Sequence, residues 1–282
     1  MELYGLNHQK VLDILPNRSV DGHKGDFGRI LLLCGSKGYT GAAALSAMGA
    51  LRCGAGLVYL GVPESIYEIE AIKLNEPIVF PLPDCGGMFS KEACEALQGR
   101  INSMDAVLIG PGIGQSEGCE AVLRWVLEEY SGPVLVDADG INLLSAHKDI
   151  LRGRAAPMIL TPHEGEFRRF AGPIEPDRVG AAVKAALEYD VIVLLKGHNS
   201  VITDGHKCYI NPNGNPGMAV GGSGDVLAGM ITALLGQGLP PLEAAACGAW
   251  VHGAAGDICS NELGQYAMLP SDMINVLPRL LK

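Results

Sequence analysis

The chain has 282 residues, 48% of them hydrophobic and 18% charged, with a formal net charge of -10. That length supports one large domain, residues 1–282, with a substantial core. An acidic balance spread along the whole chain argues against nucleic acid as a partner, because phosphate backbones are met by Lys/Arg patches. Eight cysteines without a single C-x-x-C pair, most of them in apolar runs, favour a reduced, cytoplasmic chain over disulfides or zinc. No basic-then-apolar leader opens Met1–Gln9, and no apolar run is long and unbroken enough to cross a membrane.

In chain order, a short helix is expected around Gln9–Leu15. Arg29–Cys34 is a continuous apolar run, which reads as a strand buried on both faces. It ends in Gly35-Ser36-Lys37-Gly38, and a small-residue helix follows over Thr40–Arg52. Leu57–Val62 and Ala106–Ile109 read as strands, the second running into Gly110-Pro111-Gly112-Ile113-Gly114. A helix over about Glu117–Tyr130 precedes the strand Pro133–Val136, which ends in Asp137-Ala138-Asp139. The strand Met158–Leu160 ends in Thr161-Pro162-His163, and a helix over about Pro176–Tyr189 leads to the strand Val191–Leu195. Val201–Thr203 and Lys207–Ile210 flank Asp204-Gly205, a hairpin signal. Three helices close the chain, at about 224–236, 241–258 and 271–281. Strand, polar loop and helix in repetition predict an α/β fold: a mostly parallel sheet with helices on both faces. Ligands of such sheets bind beyond the carboxyl ends of the strands.

The cluster with the most chemistry is Gly221-Gly222-Ser223-Gly224-Asp225, which opens an apolar helix. Unpaired N–H groups and the helix dipole make that end an anion site. A carboxylate there is poorly placed unless it removes a proton beside a phosphate, so Asp225 is the candidate base of a phosphoryl transfer. Lys196-Gly197-His198-Asn199-Ser200 follows a strand, where a lysine reaches a phosphate while glycine lets the backbone approach. His163, Glu164 and Glu166 follow another; the glutamates suit a hydrated Mg²⁺, and a helix N-terminus would favour the same residues. Gly110–Gly114 is a tight turn that could bring backbone against a ligand, and Gly35–Gly41 with Ala42–Ala44 offers a wall with little side chain. His252, in small apolar surroundings, reads as a satisfied core histidine.

Taken in order, these pieces resemble one family. His23–Gly28 (HKGDFG), Gly35-Ser36 with Gly41–Ala43, Gly110–Gly114 (GPGIG), Val136–Asp139 (VDAD), Leu160–Glu166 (LTPHEGE), Leu195–Gly197 and Gly221–Leu227 (GGSGDVL) look like the ADP/ATP-dependent NAD(P)H-hydrate dehydratases. The likeness spans about residues 20–282, and the LTPHEGE and GGSGDVL stretches are its specific part. It implies a ribokinase-like three-layer fold and a stand-alone dehydratase acting on the S epimer of hydrated NADH or NADPH. It implies Mg²⁺, and ADP giving AMP and phosphate, or ATP in its place. It further implies that Ala42, Gly112, His163 and Asp225 contact the substrate and that Lys196, Gly197, His198, Asn199, Ser200 and Gly224 contact the nucleotide. Gly222, Ser223 and Gly224 would cradle the phosphoryl group, and Glu166 would hold Mg²⁺ through water. Ribokinase-like relatives often carry Asn in an N-x-x-E pattern where this chain has His163; Glu166 is kept. Relatives suggest a homo-oligomer, a tetramer. Two other readings remain: a ribokinase-like small-molecule kinase of the hydroxymethylpyrimidine or thiazole type, and a nucleotide-sensing protein without turnover, which has no need of Asp225.

Overall fold

A computed structural model describes residues 3–151, 154 and 156–282. Met1 and Glu2, at the start of the segment read for a leader, lie outside them. The elements in chain order are β1 (Leu3–Tyr4), α1 (His8–Ile14), β2 (Arg29–Leu33), α2 (Thr40–Arg52), β3 (Leu57–Pro63), α3 (Glu64–Lys73) and β4 (Ile78–Leu82). A two-strand hairpin, β5 (Asp84–Cys85) and β6 (Met88–Phe89), leads to α4 (Ala93–Leu97), β7 (Ala106–Ile109), α5 (Glu117–Glu129), β8 (Val134–Val136) and α6 (Asp139–Ala146). Then come β9 (Met158–Leu160), α7 (Glu164–Ala171), α8 (Arg178–Tyr189), β10 (Ile192–Leu195), β11 (Ser200–Thr203), β12 (Cys208–Asn211), α9 (Ser223–Gly236), α10 (Pro241–Leu263) and α11 (Pro270–Leu280).

Ten strands form one sheet in the order β1-β12-β11-β10-β9-β8-β7-β2-β3-β4. Among the described residues only β11 runs against the other strands of this sheet: the turn over 196–199 reverses the chain after β10, and the hairpin at Asp204-Gly205 reverses it again into β12. The central strands carry apolar side chains on both faces. Ile30, Leu32, Leu108 and Leu135 pack under α2, α9 and α10. Leu31, Leu33, Val107 and Val136 pack under α5 to α8. This is the mostly parallel sheet with helices on both faces that the alternation of elements predicts, and it has the three layers of the ribokinase-like fold that the family resemblance implies. Among the described residues no helix is long and apolar enough to cross a membrane.

The chain steps from β2 outward through β3 to β4, then returns and steps the other way from β7 to β10. The order therefore reverses between β2 and β7, and a crevice opens beyond the carboxyl ends of those two strands. The loops after them are tied together there: the Gly35 N–H donates to Pro111 O at 2.8 Å and Ser36 Oγ to Gly112 O at 2.7 Å. The second device that shapes this end is the seam between α2 and α9. A Cβ on Gly229 would stand 2.0 Å from Ser46 O, and one on Gly49 2.7 Å from Val226 O. Only glycine lets these two backbones approach so closely.

Candidate active site

Helix α9 begins at Ser223, with Gly222 as its N-cap at φ 96°. That left-handed conformation suits glycine, and it turns the loop sharply into the helix. Asp225 lies in the first turn, part-buried, so its carboxylate stands among amides that have no intrahelical partner. Burial first, then the negative charge of Asp137, pushes the Asp225 carboxyl up to about 6; Lys196 pulls the other way and Asp139 adds to the rise. A base near that value is ionised at neutral pH and still basic enough to accept a proton.

Lys196 follows β10, and its ammonium donates to Asp137 Oδ1 at 2.8 Å. Burial opposes the charge on Lys196, but Asp137, Glu166 and Asp225 outweigh it and hold the ammonium above its ordinary value. A Cβ on Gly224 would lie 3.3 Å from Lys196 Nζ and 3.8 Å from Asp137 Oδ2. The lysine, the aspartate and the first turn of α9 thus meet at one point. Sequence reasoning quoted Asp137 within a motif but gave it no role; its signal was a carboxylate directly after a buried apolar strand. Behind it, Ala138 takes φ 50° and Asp139 accepts from the Gly114 N–H at 3.0 Å and from Gln115 at 3.2 Å.

The other expected site residues fall into three places. Ala42 and Gly112 meet across the crevice: a Cβ on Gly112 would stand 2.9 Å from that of Ala42. Gly197, at φ 147°, and Asn199, at φ 55°, form a tight turn closed by Ser200 Oγ donating to Gly197 O at 2.9 Å, with His198 and Asn199 exposed. Arg178 braces this turn by donating to Leu195 O and Lys196 O at 3.0 and 3.1 Å, and it pairs with Glu164.

His163 caps α7. Its Nδ1 accepts from the Gly165 and Glu166 N–H groups at 2.9 and 3.3 Å, which leaves the ring proton on Nε2, 3.3 Å from Glu166 Oε1. Glu166 Oε2 accepts from the His163 N–H at 2.8 Å, completing a capping box. The helix-terminal role weighed for Glu166 is thus realised. The Lys196 N–H donates to Pro162 O at 2.8 Å, which joins this segment to the lysine. His252, the expected core histidine, is 6% exposed, with Nε2 3.4 Å from Ser223 Oγ. Burial drives its ring down to about 4, so it is neutral. Cavities of about 260 and 290 Å³ lie at the amino ends of the strands, and neither is lined by Asp225, Lys196 or Asp137.

Together these groups offer a base, an anchored cation, a helix N-terminus and a wall of backbone. That is equipment for moving a phosphoryl group onto a hydroxyl. A family model described as NAD(P)H-hydrate dehydratase matches residues 30–279. The chain is 44% identical, over 95% of its length and 52% of the relative's, to a bifunctional NAD(P)H-hydrate repair enzyme of Moorella thermoacetica. It thus spans about half of that protein. It is 34% identical, over 94% of its length and 88% of the relative's, to an ADP-dependent (S)-NAD(P)H-hydrate dehydratase of Neisseria meningitidis. The crystal structure of a Bacillus subtilis ADP/ATP-dependent NAD(P)H-hydrate dehydratase, co-crystallised with ATP/Mg²⁺, superposes with a TM-score of 0.83 at 30% identity, covering 97% of this chain and 96% of that one. From its sequence, its sheet order and the company its glycine loop keeps, the chain belongs to the NAD(P)H-hydrate dehydratase family.

Proposed function

We propose that this chain, as one domain over residues 1–282, dehydrates the S epimer of NAD(P)H-hydrate to NAD(P)H at the expense of a nucleotide phosphoanhydride, with ADP giving AMP and phosphate. The observation that carries the reading is Asp225 in the first turn of α9, pushed up to about 6 and set beside Lys196. Hydroxide is a poor leaving group and phosphate a good one. Asp225 takes the proton of the C6 hydroxyl as its oxygen attacks the terminal phosphorus and the P–O bond to the nucleotide breaks. The N–H groups of Gly222 and Gly224 and the Lys196 ammonium meet the charge on the transferring group; the Ser223 N–H, which donates to Val220 O at 3.3 Å, would have to give up that bond to join them. Phosphate then leaves C6 with the C–O electron pair, the ring nitrogen lone pair supplying the push, and loss of the C5 proton restores the C5–C6 double bond. Ala42, Gly112 and His163 would line the substrate, and Lys196 to Ser200 with Gly224 the nucleotide.

The relatives' chemistry implies Mg²⁺. Among the described residues no group of three or more His, Cys, Asp or Glu side chains is placed to hold a metal. Glu166 has both oxygens engaged by His163. Such a donor set fits a hydrated cation held through water by Glu166 and otherwise by the substrate's own phosphates. When bound, Mg²⁺ would neutralise charge on the phosphates. A homo-oligomer belongs to the same reading and is supported by the exposed apolar side chains Leu263, at the end of α10, and Tyr266 and Leu269 beyond it. Eight free thiols support a reducing compartment such as the cytoplasm.

The test is to incubate purified protein with the S hydrate, Mg²⁺ and either ADP or ATP, following reduced-nicotinamide absorbance and the nucleotide product together. Recovery of the cofactor with matching phosphate release is expected; a stable phosphorylated alcohol would make the chain a kinase instead. Asp225→Asn should lose about 100-fold to 10,000-fold in turnover. For the wild type, kcat/KM should fall as pH drops through about 6, where Asp225 takes up its proton. An Asp225→Asn protein working at near wild-type rate would sink the assignment.

A further inference from the structure

Asp137 is the buried charge that the scheme above leaves idle. It is 1% exposed, and buried carboxylates persist only when paired. Its partner is Lys196 Nζ, and both rest against Gly224 at the first turn of α9. Resting on the phosphoryl-transfer reading, we propose that Asp137 is a positioning residue, anchoring the Lys196 ammonium at the place where the terminal phosphoryl group of the nucleotide arrives. A lysine stem is long and flexible, and an unanchored ammonium spreads over many rotamers. One of its three donors is spent on Asp137 Oδ1, and two remain for incoming phosphate oxygens. Asp137 also acts on Asp225, raising it while Lys196 lowers it. The charged and titratable groups facing Asp225 are Asp137 after β8, Asp139 at the start of α6, Lys196 after β10 and Cys34 after β2. Burial keeps Cys34 protonated. Beyond these, Glu166 from α7 acts on Lys196, and the charge of Lys196 adds to burial in keeping His252 of α10 neutral.

If Asp137 anchors the lysine, removing it has two opposed effects on Asp225: its own repulsion is lost, and so is the fixed attraction of the ammonium. If Lys196 is already gone, only the first remains. The experiment is a ¹³C NMR titration of the Asp225 carboxyl in wild type, Asp137→Asn, Lys196→Met and the double variant. Asn keeps the shape of Asp but gives up the charge that holds the ammonium in place against burial. Asp137→Asn should lower the titration point of Asp225 by about half a pH unit more in the Lys196→Met background than in the wild-type one. Equal shifts in the two backgrounds would show the residues acting independently and overturn the proposal. Lys196→Met alone should raise the titration point, and an unmoved Asp225 would overturn it as well. In turnover, the Asp137→Asn loss, about tenfold or more, should shrink to within about twofold once Lys196 is Met; losses that multiply would count against anchoring. The titration needs neither substrate nor turnover. A chain that showed the coupling but did not dehydrate the hydrate would therefore refute the proposed reaction and leave the anchoring in place.

Discussion

Gly229→Ala tests whether the α2–α9 seam sets the position of the site. Asp225 and Gly229 are one helical turn apart on the same face of α9. A Cβ at 229 would stand 2.0 Å from Ser46 O, whereas carbon and oxygen in close contact sit at about 3.3 Å. The helices must therefore part by roughly 1.3 Å. Overpacking of this kind costs about 1–3 kcal/mol, and the better helix propensity of Ala over Gly returns up to ~1 kcal/mol. The net loss of about 1–2 kcal/mol lowers Tm by a few degrees. Activity should suffer more, because a displacement of about 1 Å at a reacting group can cost roughly 100-fold. Thermal unfolding and phosphate release under saturating nucleotide read the two effects. Gly180→Ala in α8 is the control, since its nearest contact would be an ordinary 3.6 Å to Asp177 Oδ1; it should leave activity unchanged and raise stability by about 0.4–1 kcal/mol. If Gly229→Ala matched wild type in both Tm and phosphate release, the seam would not be what holds Asp225.

Asp225→Asn should be more stable than wild type at neutral pH even as it loses activity. The folded state raises this carboxyl from 3.8 to about 6, so the ionised form opposes folding above that value. The variant's advantage, on the order of 2 kcal/mol, is full above pH 6 and fades as pH falls toward the unfolded value; urea melts at pH 5 and pH 8 should show the gap widening with pH. Asp257→Ala should free the 211–217 loop that leads into the glycine cluster. Its carboxylate accepts from the Gly214 N–H and from Asn215 Nδ2, both at 3.0 Å, so the loss of charge-assisted bonds should cost about 1.5–3 kcal/mol and open that loop to limited proteolysis. Unchanged melting and cleavage would contradict the clamp.

The fold was legible wherever burial on both faces writes a continuous apolar run, as in β2, β3, β7 and β10. It was not legible over residues 64–97. There β4 is an edge strand interrupted by Pro81, and α3 mixes Glu and Lys among its apolar residues, so neither period stands out. Helix α6 starts without a capping side chain, straight from a left-handed Ala138, and offers no start signal. β1 is two residues long and is a strand only because β12 lies beside it. In the site, single positions were readable, because glycine loops and strand-end charges announce themselves. The pairing of Asp137 with Lys196 was not, since 59 residues separate them and only the sheet order brings their strand ends together. Glu166 shows the converse: its pattern fits a metal ligand and a helix cap equally, and the hydrogen bonds to His163 show the cap.

Residues 3–8 lie against elements that follow them by more than 200 residues. β1 pairs with β12, His8 stacks on Trp250 with ring centroids 5.7 Å apart, and its Nε2 lies 2.9 Å from Leu280 O, 272 residues away. β1 is translated before β12 and has no strand to pair with until β12 has been made. The parallel strands from β2 to β10 lie between them in sequence and can assemble in that interval. Closing so long a loop costs only logarithmically more than closing a short one, so the delay is one of order of events rather than of equilibrium. Until β12 arrives, the unpaired β1 segment is open to a holding chaperone or a wrong strand.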